Sequence, residues 1–187
     1  MSERCWRVRL LDKRIAFCDA EASARFARAR AVGAVHANAG PPEEFEDLQR
    51  ERNGVRVEAA LMLFASPCEW KLGPLIPGQP KRPDIVVLRR FADDTAMRYR
   101  LDSKAVAHAH YRLIVQYDDD PEWIYVLGDV RDFPVIELCG WCWGRDAMAK
   151  RFDDDPVGFR PAYFVERDDA IMQPMPALRT LLHGGVE

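Results

Sequence analysis

Pro83-Asp84-Ile85-Val86-Val87-Leu88-Arg89-Arg90-Phe91-Ala92-Asp93-Asp94-Thr95-Ala96-Met97-Arg98-Tyr99-Arg100-Leu101-Asp102-Ser103-Lys104 reads as two extended runs about a polar turn. Ile85 to Phe91 is β-branched, Ala92 to Thr95 is turn-like, and Ala96 to Lys104 is a second strand, so the spacing predicts a β-hairpin. A turn centred near residues 93–94 sets Asp84 opposite Asp102 or Ser103. The period of two puts Asp102 and Lys104 on one face of their strand. Two acids far apart in sequence thus arrive side by side with a lysine next to them. A one-residue slip would turn Asp84 to the other face.

Upstream of the hairpin the pattern is helical. Alanine dominates from Asp19 to about Asn38, predicting a helix stopped by Gly40-Pro41-Pro42, after a short strand or arm over residues 5–18. Glu43 to Arg52 predicts a helical turn or two, interrupted at Asn53-Gly54. Val55 to Ala65 is the most apolar helix, with Val57, Ala60, Leu61 and Phe64 at helical spacing. Glu58 is the one charged residue between Arg56 and Ser66. It reads either as an acid facing the sheet or as a residue on the solvent stripe, the ordinary place for glutamate. The Gly and Pro residues from Gly73 to Pro83 predict a loop. Downstream, Tyr111 to Tyr117, Trp123 to Leu127 and Val135 to Trp143 predict three more strands, and Arg145 to Phe152 a short helix. Ala162 to Val165 predicts an edge strand and Ala177 to His183 a last helical turn. Helices followed by an antiparallel meander define an α+β chain.

The acids at the hairpin's open end suggest a chemistry. Metal-dependent phosphodiester cleavage needs carboxylate oxygens to hold Mg²⁺ or Mn²⁺ and a cation to steady the attacking water. Asp84 and Asp102 supply the oxygens, Glu58 is a candidate third acid, and Lys104 is the cation. Helix with Glu, strand with Asp, and strand with Asp-x-Lys is the order of the PD-(D/E)XK nuclease motif.

The resemblance extends further. Tyr111-Arg112-Leu113-Ile114-Val115, Asp118-Asp119-Asp120, Ile124-Tyr125-Val126-Leu127, GWCWGRDAM at 140–148 and RPAYFVE at 160–166 resemble a family of small phage and prophage proteins that are PD-(D/E)XK nuclease-like. NGVRVEAAL at 53–61 is similar to that family's acid-bearing helix, with Glu58 as the acid. Asp102-Ser103-Lys104 falls where the family carries Glu or Gln, any residue, then Arg. The likeness spans about Asp19 to Leu178. It implies a nuclease-like core over 53–187 of a single domain, preceded by a helical extension over 1–52. It further implies DNA as the partner, metal-dependent cleavage, or a catalytically inactive relative that binds DNA or protein, for instance as a phage counter-defence factor. Asp93 and Asp94 stand as alternative counterparts of Asp84.

Composition narrows the setting. Hydrophobic residues make up 48% and charged residues 30% of 187, which predicts a folded globule. The longest uncharged stretch, Ala31 to Pro42, is 12 residues, short of the roughly 20 a membrane span needs. Five cysteines with no apolar leader predict free thiols in a cytoplasmic setting, the host cytoplasm if phage-encoded. Residues 1–30 hold eight Lys/Arg against four Asp/Glu, and residues 118–169 hold six against fourteen, so charge is unevenly spread. Arg25, Arg28 and Arg30 read as a solubilising surface, with a phosphate patch as the alternative. Cys139-Gly-Trp-Cys142 has redox or zinc spacing but no second ligand pair, so buried strand cysteines are expected. His108 and His110 are candidate bases, more simply loop residues. Asp118 to Asp120 reads as a turn before Pro121.

Overall fold

The computed structural model describes residues 4–31, 44–65, 83–91, 93–108, 112–150, 152–153 and 161–184. The elements are β1 (Trp6–Arg9), α1 (Asp12–Ala31), α2 (Glu44–Phe64), β2 (Ile85–Arg90), β3 (Ala96–Val106), β4 (Leu113–Gln116), β5 (Ile124–Asp129), β6 (Val135–Trp143), α3 (Gly144–Met148), β7 (Phe152–Asp153), β8 (Ala162–Val165) and α4 (Met175–His183). The chain is α+β. A five-stranded mixed sheet in the order β1-β6-β5-β3-β2 is antiparallel except at β3–β5, and a three-stranded sheet follows the order β4-β8-β7. No helix among the described residues is long and apolar enough to cross a membrane.

One apolar cluster fills the space between the large sheet and α1, α2 and α4, with Leu61, Leu101, Val126, Leu138 and Leu178 at its centre. A second lies on the sheet's other face, where Tyr125 and Leu127 meet Leu113, Val115 and Val165 of the small sheet. β5 is buried along its whole length because both faces are covered. Gly128 lets α2 seat closely: a Cβ there would lie 2.3 Å from a Val57 methyl.

Several expectations are corrected. α1 begins at Asp12 rather than near Asp19, and its expected end at residues 32–40 lies outside the described residues, as does most of the loop expected over 73–83. α2 runs unbroken through Asn53-Gly54, across the boundary expected at 52/53. Gln49 Nε2 donates to Asn53 Oδ1 at 3.0 Å along the helix, and Gly54 costs only its share of backbone entropy. The strands after the hairpin do not meander. β4 leaves the large sheet to pair with β8, so β5 returns alongside β3 in parallel. β8 is consequently the centre of the small sheet, flanked by β4 and β7, not an edge. The short helix ends at Met148, and Phe152 belongs to β7. β1 pairs with β6, so the N-terminal segment is woven into the large sheet.

Candidate functional site

The hairpin forms in the expected register. Ile85 faces Leu101 and Arg90 faces Ala96, and the same pairing carried one step further sets Asp84 against Asp102. Asp93 and Asp94, the alternative counterparts, lie at the opposite end of the hairpin from Asp102 and Lys104. They sit at the turn, beyond Ala96, which is itself about 20 Å of strand from Asp102 at 3.4 Å per residue. Asp93 accepts from the Thr95 amide at 3.1 Å and from its hydroxyl at 2.6 Å, which pulls its carboxyl below the usual range. Asp94 takes the left-handed turn conformation with φ 62°.

At the hairpin mouth, Asp84 Oδ2 accepts from the Ser103 amide at 2.7 Å and the Ser103 hydroxyl at 2.8 Å. Burial pushes the Asp84 carboxyl well above the ordinary carboxylate range, and the negative charges of Asp102 and Glu58 push the same way. The Ser103 amide and Lys104 only partly offset them. Lys104 Nζ pairs with Asp102 Oδ2 and lies 3.8 Å from Asp119 Oδ2. Burial works against the ammonium, but Asp102 and Asp119 outweigh it and hold the lysine protonated. Lys104 also stands 5.6 Å above the Tyr125 ring, whose hydroxyl donates to the Asp120 carbonyl at 3.1 Å. The side chain as a whole is 30% exposed.

Glu58 reaches the sheet but arrives from the other side. Leu101 and Ala105 of β3 belong to the α2-facing cluster, whereas Val106, Tyr125 and Leu127 belong to the opposite one. Asp102 pairs with Tyr125 and Lys104 with Leu127, so both acid and lysine project away from α2. Asp84, at the strand start, feels acids from both faces. Glu58 is 6% exposed, because α1 packs over the side of α2 that an isolated amphipathic helix would give to water. Both its oxygens are taken by Arg25: Nη1 to Oε1 at 2.6 Å and Nη2 to Oε2 at 2.7 Å. Arg25 Nε donates in addition to Glu21 Oε1 at 3.0 Å. Arg25 is therefore a buried partner rather than a solubilising or phosphate-contacting residue, and Arg28 is directed at Glu21 at 3.3 Å.

The reading of residues 118–120 as a turn is right for the backbone and misses a side chain. Asp119 is 8% exposed, accepts from the Gln116 amide at 2.9 Å and contributes its charge to Lys104. Its only sequence signal is its place as the middle acid of a run that a turn already explains. Cys139 and Cys142 are buried thiols pushed up to about 12, so neither is a thiolate near neutral pH. Trp141 and Tyr125 are buried in the core, while Phe133 lies under the Arg56 guanidinium at 4.0 Å. His108 is exposed; His110 and Cys68 lie outside the described residues.

As a test of metal fit, the donors are hard oxygens on two neighbouring carboxylates, one disfavoured as an anion by the other. Mg²⁺ is commonly held by one or two carboxylates completed by water and substrate phosphate. Asp84 and Asp102 meet that requirement in kind and number. Among the described residues no group of three or more ligating side chains forms a ready cage, and Glu58 is committed to Arg25. Compared with protein-family models, curated proteins and solved structures, the chain matches none.

Proposed function

We propose that the chain is a PD-(D/E)XK-type nuclease that cleaves DNA with Mg²⁺ or Mn²⁺ held by Asp84 and Asp102. The observation that carries this reading is the hairpin mouth: Asp84 in register with Asp102, Lys104 on the same face as Asp102, and the Asp84 carboxylate disfavoured by burial and by its acidic neighbours. When bound, the metal would supply Lewis acidity and a water of lowered pKa. Lys104 carries a fixed positive charge beside the acids and keeps 30% of its side chain exposed, so it is placed to orient a water and to meet charge developing on a phosphate. Ser103 anchors Asp84 through two donors, and Asp119 and Tyr125 hold Lys104 over the site.

A second reading is favoured by the Arg25–Glu58 pair. With the third acid neutralised from α1, the nuclease fold would serve as a non-catalytic scaffold that binds DNA or another protein, as a counter-defence factor would. Calorimetry with Mg²⁺ and Mn²⁺, together with plasmid nicking, separates the two. The expected result is metal binding lost in Asp84→Ala/Asp102→Ala, and nicking reduced at least about a hundredfold, since even outer-shell partners cost 10–100-fold. Neither binding nor nicking by the well-folded parent would leave the scaffold reading standing.

A further inference from the structure

The open face of the hairpin carries more than the acid pair. Tyr99 and Leu101 of β3, and Ile85 and Val87 of β2, pack toward the helices, so the alternate positions face the other way. Those positions are Val86, Leu88 and Arg90 on β2 and Arg98, Arg100 and Asp102 on β3, with Arg100 across from Val86 and Arg98 across from Leu88. Arg90, Arg98 and Arg100 are exposed. Arg100 Nη1 makes one long contact, 3.9 Å, to Asp120 Oδ2. On the helix side, by contrast, Arg89 is tied down: it donates to the Leu181 carbonyl at 2.8 Å and covers Phe91 at 4.6 Å.

Resting on the nuclease-fold reading above, we propose that this face is the track by which a DNA duplex reaches the Asp84–Asp102–Lys104 cluster, with Arg90, Arg98 and Arg100 contacting successive backbone phosphates. Arg98 and Arg100 stand two residues apart on β3, a step of about 6.8 Å. Arg90 on β2 lies across from Ala96, one such step further out, and the row leads to Asp102 and Lys104. Guanidinium forks match phosphate oxygens in geometry and charge. Leu88, 47% exposed, lies between the arginines and offers no competing carboxylate. A chain of formal net charge −3 needs such a local patch to hold a polyanion at all. β2 ends the sheet, so no further strand of the described residues lies beyond the track.

The test is fluorescence anisotropy of a short labelled DNA duplex across a salt series, in EDTA so that cleavage plays no part. The parent should bind. Arg90→Gln/Arg98→Gln/Arg100→Gln should weaken binding at least tenfold and lower the slope of log K against log salt by about 2 to 3, as loss of three phosphate contacts requires. Lys13→Gln/Arg50→Gln/Arg179→Gln, which removes the same charge from α1, α2 and α4, should change both far less. Equal weakening by the two variants would reduce the effect to net charge and overturn the track. So would no duplex binding by the folded parent, or polyglutamate displacing the duplex as well as unlabelled DNA does, which would point to an acidic protein partner instead. Binding without metal-dependent nicking would overturn the nuclease and leave the track. Nicking with an unchanged triple variant would do the reverse.

Discussion

The Glu58–Arg25 pair and the Asp102–Lys104 pair are both carboxylate–cation contacts beside β3, and they are built differently. The first lies between α1 and α2, with both carboxylate oxygens in a planar fork and both residues under 10% exposed. The second is a point charge shared among acids, over an aromatic ring, on a side chain 30% exposed. A rigid bidentate fork satisfies a buried acid completely and leaves it nothing to exchange. A compact ammonium among several carboxylates can trade partners when a phosphate or a water arrives. The closed pair therefore does structural service, and the open one is where the proposed chemistry would fall.

Breaking the closed pair should have the largest effect on stability. Arg25→Ala strands a buried glutamate and should cost about 3–5 kcal/mol, a fall in Tm of about 6–20 °C for a chain of this size. Arg25→Met/Glu58→Leu, which removes both charges, should recover most of that loss. If thermal melts showed Arg25→Ala unchanged, the pair would not be the closed element described. The open cluster should respond to pH instead. Burial and the neighbouring acids raise the Asp84 pKa above its unfolded value of about 3.9. The stability linked to that proton is complete below the unfolded pKa and is lost as pH rises through the raised folded one. Asp84→Asn keeps an oxygen for Ser103 and removes the titration. It should match the parent near pH 3, melt above it at neutral pH, and show a flatter pH profile. A variant that melts lower at neutral pH would mean the charge at Asp84 is stabilising after all.

The local patterns were legible. β6 spans Val135–Trp143 and β8 spans Ala162–Val165 over the ranges predicted from the sequence, and the hairpin register follows from a turn at Asp93-Asp94. What escaped depends on distant partners. Glu58 and Arg25 each look like surface residues until α1 and α2 are laid together. Gly54 resembles a helix break because propensity is local, whereas burial of Val55, Val57 and Leu61 beyond it carries the helix through. The departure of β4 depends on β8, about fifty residues downstream, and no alternation within β4 announces it. Asp119 was hidden because a turn gave a sufficient account of its type.

Gly128 has a bearing on how this molecule could be retuned. With its Cβ position 2.3 Å from Val57, residue 128 acts as a shim of zero thickness between helix and sheet. Adding one methyl there must lift α2, and Glu58 is the next residue along. Gly128→Ala should cost about 1–3 kcal/mol, and Gly128→Ala/Val57→Ala should melt higher than that single variant. If the double variant melts no higher, the spacing is set elsewhere. Otherwise a pair of positions that touches neither Asp84 nor Lys104 gives a handle on the gap between the third acid and the open cluster, one methyl at a time.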